Sequence, residues 1–183
     1  MLTAKPVYQS AFPRRNWTVL AHEVPIGEVT LTGWGMGSIV LRGNSYCATT
    51  MPEVGPAVPN FPIPRRYTMC SDTALIHSAS EEPSRVYRID STDAGSGPPL
   101  IFQRTSTWQQ FLFEPWPRYG IFRTGDTALC GTIIWQSPFP WQSAVRELVA
   151  LTLPAEIGES LQLFLLWLFV DRAQWGRDED ATG

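Results

Sequence analysis

The sequence predicts a mainly β chain: a closed antiparallel β-barrel of roughly ten to twelve strands wrapped around one buried, apolar C-terminal helix. Three observations predict it. Short β-branched and aromatic runs follow one another from Trp17 to Pro154, each cut off by glycine, proline or small polar residues. The segment "LQLFLLWLFV", Leu161 to Val170, has Gln162 as its only polar residue and so has no side to show to water. A ring able to hold a helix about 10 Å across must be wider than an eight-stranded barrel, whose own side chains fill it.

Taken in order, residues 1–16 ("MLTAKPVYQSAFPRRN") read as an N-terminal arm without the apolar core of a secretory signal. Residues 17–175 form the single barrel domain and 176–183 a charged tail. "WTVLAHEV" leads to an expected turn at Pro25 to Gly27. In "EVTLTGW", Val29, Leu31 and Gly33 alternate against Glu28, Thr30 and Thr32, as one wet and one buried face require. "GWGMG" punctuates, and "SIVLRG" and "NSYCATTM" complete four strands in the first fifty residues.

Residues 52–64, "PEVGPAVPNFPIP", carry five prolines and make a long connection within the domain. Then come "RRYTMC", "TALIHSA", "SRVYRID", "PLIFQRT", "TWQQFLFE" and "RYGIFR". A turn at Thr124-Gly125-Asp126 joins the last of these to "TALCGTIIWQ" in the clearest hairpin of the chain. "SAVRELVALTL" suits strand or helix; Val145, Val149 and Leu151 alternate, which favours strand. Pro154 at a first helical position, Glu156 and Glu159 near the positive end and Arg172 near the negative end define a helix over 154–175.

A membrane span is the competing reading of that helix. Spanning takes about 20 apolar residues, whereas Leu161 to Val170 covers about 15 Å. Acidic Asp171, Asp178, Glu179 and Asp180 follow it where an anchor carries basic residues. Burial inside the strands is therefore expected, with no transmembrane span.

Composition narrows the function classes. The 183 residues are 44% hydrophobic and 17% charged with a formal net charge of −3, which fits one globular domain and offers no field for nucleic acid. Thirteen arginines against the single Lys5 fit biased base composition. Cys47, Cys70 and Cys130 show no ligand spacing and read as buried free thiols of a reducing compartment, hence a cytoplasmic protein.

No catalytic or metal site is expected. His22 and His77 each fall inside an expected strand, and no nucleophile elbow, zinc-protease or phosphate-loop motif occurs. His77 beside Ser78 and near Asp72 suggests a triad fragment, but neighbours in a strand point to opposite faces. No cofactor is called for. The residues left for contact are arginines, Arg65 and Arg66 after the proline-rich connection and Arg85 with Arg88, and the aromatics of the "EPWPRY" and "SPFPWQ" loops, Trp116, Phe139 and Trp141, as a partner rim.

"LPAEIGESLQLFLLWLFVDRAQWGRD", with the hairpins before it, resembles the tubby-like barrels shared with phospholipid scramblases and LURP-one-related proteins, and small bacterial proteins of that architecture. The resemblance covers most of the chain from Trp17. It implies phosphoinositide or lipid contact and membrane-linked roles. This sequence lacks the palmitoylated cysteine cluster and calcium loop of scramblases and the lysine-rich headgroup pocket of tubby. The functional expectation is a non-enzymatic binding or scaffold module that meets a protein or lipid partner through its loop rims or arginines. Alternatives are a peripheral lipid- or phosphoinositide-binding protein, a tail-anchored membrane protein, and an enzyme without a known motif.

Overall fold

A computed structural model of the chain describes residues 1–7, 16–33, 35–52, 64–72, 74–82, 86–92, 99–105, 118–136, 148–154 and 156–180. These form twelve strands and one helix: β1 Leu2–Pro6, β2 Asn16–Ala21, β3 Val24–Gly33, β4 Met36–Leu41, β5 Asn44–Pro52, β6 Arg65–Cys70, β7 Leu75–Glu82, β8 Val86–Ser91, β9 Leu100–Arg104, β10 Tyr119–Arg123, β11 Leu129–Gln136, β12 Leu148–Thr152 and α1 Glu159–Asp180. Each strand pairs antiparallel with its neighbours in sequence, and β1 pairs with both β2 and β12, so the ring is closed. Among the described residues, closure leaves no unpaired strand edge, the usual hazard of an all-β chain.

Alternation explains which residues enter the ring. Val29, Leu31, Ile39, Leu41, Tyr67, Met69, Tyr87, Ile89, Leu100, Phe102, Ile121, Ile133, Val149 and Leu151 all face inward and are buried. The positions between them, such as Thr30, Thr68, Arg88 and Asp90, are partly or fully exposed. Helix α1 lies inside: Leu161 and every residue from Leu163 to Arg172 are buried. A side chain of this size withdrawn from water contributes about 1.5 to 3 kcal/mol, and nine apolar ones surround one axis. The helix joins the same core cluster as all the inward strand residues. Trp167 stands edge-on to Tyr67 at 6.2 Å and Phe169 edge-on to Tyr119 at 5.6 Å, the preferred geometries of aromatic pairs.

The barrel, its helix and the β10–β11 hairpin agree with expectation; several elements differ from it. Residues 2–6 are no loose arm but the strand that closes the barrel, with Leu2 and Ala4 inward. The turn between β2 and β3 is at His22-Glu23, both in the left-handed region at φ 48° and 67°, which leaves Pro25 within β3 and puts His22 in a turn. Arg42 and Gly43 make the next two-residue turn in the same way, at φ 49° and 86°.

The helix starts at Glu159, five residues after Pro154. Pro154 instead heads a turn, its carbonyl accepting from the Ile157 amide, and this turn drives Ile157 into the core. Gly158 then caps the helix through its carbonyl to the Gln162 amide. At the other end the helix runs on to Asp180, through most of the expected charged tail. The ambiguous 143–152 segment is strand from Leu148; residues 143–147, the "TWQQFLFE" strand and the interior of the proline-rich connection lie outside the described residues. The cysteines differ too. Cys47 is exposed, and Cys70 and Cys130 are only partly buried.

Candidate functional site

The nominated arginines separate by strand alternation. Arg65 shares the inward phase of Tyr67 and Met69 at one mouth of the barrel, whereas Arg66 shares the outward phase of Thr68. Arg65 and Arg66 are therefore not one patch. Arg66 pairs across to Ser80, and Ser80 pairs across to Arg88. Two strand spacings put Arg66 and Arg88 about 10 Å apart on the outer face with a hydroxyl between them. Both are exposed. Arg88 stands 4.0 Å from Asp90 on its own strand, a solvated pair that leaves its fork available. On the other side of Arg66 its β5 partner is Met51, 59% exposed. Arg85, Trp116, Phe139 and Trp141 lie outside the described residues.

Inside the same mouth is a polar cluster that the sequence reading missed. Glu81 is in phase with His77 and Ala79, which face the core, so its carboxylate points inward. Arg172, two residues beyond the apolar part of α1, meets it there. Its Nη2 is 3.6 Å from Glu81 Oε1, its Nη1 donates to the Tyr67 hydroxyl at 3.4 Å, and its guanidinium carbon is 5.8 Å from the Tyr87 ring centre. Tyr87 in turn donates to Glu81 Oε1 at 3.2 Å. Arg172 Nε is buried with no hydrogen-bond partner among the described residues.

Burial dominates the titration of this cluster. It pushes the Tyr67 phenol up to about 12, the Arg172 charge offsetting only part of the effect. Tyr87 is raised further for the same reason. Burial also works against the charge on Arg172, but the oxygens of Tyr67, Tyr87 and Glu81 outweigh it and hold the guanidinium protonated. The arrangement fixes the rotation and depth of α1, because a one-residue slip would withdraw the cation from both oxygens and from the Tyr87 ring. The signal available in the sequence was Glu81 falling in an apolar phase.

The opposite end is held by contacts to the start of the helix and to the turn before it. His77 Nε2 and Ser160 Oγ are 3.0 Å apart, with the imidazole 5.7 Å from the Phe164 ring. Arg42 grips Glu159 with two parallel hydrogen bonds of 2.8 Å, and Arg123 donates to Glu156. His77 thus meets a helix hydroxyl, and neither Ser78 nor Asp72. It is 1% exposed, so the hydroxyl–imidazole contact lies within packed core where it anchors the helix to β7.

Among the described residues, no group of three or more histidine, cysteine, aspartate or glutamate side chains is placed to hold a metal ion, and no helix is long and apolar enough to cross a membrane. No protein-family model matches the chain, no curated protein matches it, and no solved structure matches it.

Proposed function

We propose that the chain is a non-enzymatic binding module of tubby-like kind, working on the cytoplasmic side, whose outer face across β6 to β8 receives an anionic group of a partner. The observation that carries this reading is Arg66 and Arg88 exposed on either side of Ser80. Two guanidinium forks carried on strand positions about 10 Å apart suit a pair of phosphates or carboxylates. The reading is supported by what fills the interior: residues 163–172 of the helix occupy the barrel axis, so a partner meets the outside, the mouths or the loops.

One observation favours a lipid partner over a protein. Met51 is the cross-strand neighbour of Arg66, and Met36, 56% exposed, is diagonal to Met51 through the Met36 to Thr49 pairing. Cations beside exposed apolar side chains are the combination that lies at a membrane surface.

Flotation of the purified chain with neutral and with anionic vesicles tests both. Binding that needs anionic lipid, weakens with salt and is lost in R66Q/R88Q supports the lipid reading. No vesicle binding, with a co-purifying protein in native mass spectrometry that the double variant releases, supports the broader module. A double variant that keeps every partner of the parent chain overturns the assignment of these arginines.

A further inference from the structure

The register of β5 against β6 places Cys47 directly opposite Cys70. Both belong to the outward phase of their strands, Cys47 with Thr49 and Met51, Cys70 with Arg66 and Thr68. Side chains of this face do meet across the two strands: in the next outward pair, Thr49 Oγ1 and Thr68 Oγ1 are 2.7 Å apart. The kind of pairing follows from the neighbouring ladder. The Thr50 amide donates to Gly35, toward β4, so by alternation the amides of Thr49 and Cys47 point to β6. Cys47 and Cys70 are therefore a hydrogen-bonded antiparallel pair, with Cα atoms about 5.5 Å apart, inside the span a disulfide bridges.

The geometry points to a redox site: Cys47 and Cys70 form a thiol pair that closes reversibly into a cross-strand disulfide by exchange with a low-molecular-weight disulfide. Cys47 is the exposed member and takes the first step. Its thiolate attacks one sulfur of the small disulfide, giving a mixed disulfide and expelling a small thiolate. Cys70, having released its proton, then attacks the Cys47 sulfur and expels the second small thiolate. Two protein thiols are oxidised, one small disulfide is reduced to two thiols, and no other oxidant takes part.

Reversibility follows from the same geometry. Facing Cβ atoms of a strand pair are about 4.5 to 5.5 Å apart, whereas a relaxed disulfide holds them at about 3.5 to 4.5 Å, so closure draws the strands together. Such a strained, exposed bridge is the readily reduced kind. Cys130 supplies an internal control: it lies on β11, away from this pair, and burial pushes its thiol up, away from the reactive thiolate form.

The test is to treat the folded, reduced full chain with oxidised glutathione, block remaining thiols by alkylation and digest with trypsin. Cleavage at arginines, including Arg42 and Arg66, puts Cys47 and Cys70 in separate peptides. The expected result is one linked Cys47–Cys70 peptide pair, an alkylated Cys130, and a thermal midpoint that rises on oxidation and returns with reductant. In C70S the reaction is expected to stop at glutathione bound to Cys47. Separate glutathione adducts on both cysteines of the parent chain without a bridge, a bridge formed only in denaturant, or a bridge between two chains would each overturn the proposal.

Discussion

Gly37 of β4 lies against the indole of Trp167: a Cβ at position 37 would stand 2.5 Å from Trp167 Nε1 and would also meet the Thr30 carbonyl. This bulky helix side chain is seated where the strand offers no side chain at all. Trp167 Nε1 is buried without a hydrogen-bond partner among the described residues, so what holds it is fit.

Gly37→Ala therefore overfills the barrel. The indole or the strand must shift by several tenths of an ångström, and the expected loss is about 1 to 3 kcal/mol. Urea unfolding followed by Trp fluorescence checks it; a midpoint unchanged from the parent would show that the helix has slack at this position.

The helix core should be equally intolerant of lost volume and of charge. Leu165 is 0% exposed, and Leu165→Ala should cost about 2 to 5 kcal/mol. Leu165→Asp should prevent folding, because its described neighbours one turn away on the helix, Leu161 and Phe169, are buried apolar side chains and neither pairs with a carboxylate. Circular dichroism and gel filtration of these variants supply the measurement.

Arg172 and Glu81 should behave as a coupled pair. Arg172→Met leaves the Glu81 carboxylate without its cation and should cost about 3 to 5 kcal/mol. Adding Glu81→Leu removes the orphaned charge and should recover much of that loss, read as the interaction energy of a double-mutant cycle.

Two limbs of a pH–stability curve follow from the shifted groups. Tyr67 ionises near pH 10 when unfolded and at about 12 when folded, so between those values the folded chain binds more protons and stability falls as pH rises. Tyr67→Phe should flatten that alkaline limb. Glu159 is held below its ordinary value by the hydrogen bonds from Arg42. Its contribution is present above the unfolded carboxylate value and disappears as pH falls through the folded one. Arg42→Ala should thus be destabilising at neutral pH and indistinguishable from the parent in acid.

The barrel and its axle were legible in the sequence because both rest on periodicity: alternation of period two in segments such as "EVTLTGW", and an apolar run with no polar stripe in Leu161 to Val170. What was not legible depends on tertiary placement. Residues 2–6 include Lys5 and Pro6 and gain a strand's stability only from β2 and β12 on either side. The His22-Glu23 turn uses two residues that seldom take positive φ, while the Pro25 to Gly27 segment just after it carried the more conventional turn residues. The Arg172 cluster draws on β6, β7, β8 and the helix at once. Arg65 and Arg66 are adjacent in sequence yet on opposite faces, and only strand register puts Arg66 and Arg88 two strands apart on one face.

The enclosed helix is tested most directly by nuclear Overhauser contacts in the full chain. Cross-peaks are expected between the Trp167 indole and the Gly37 α protons, and between the Phe169 and Tyr119 rings, from opposite sides of the barrel wall to one helix. A folded chain in which α1 shows helical contacts but none to β4 or β10 would contradict the barrel that surrounds it.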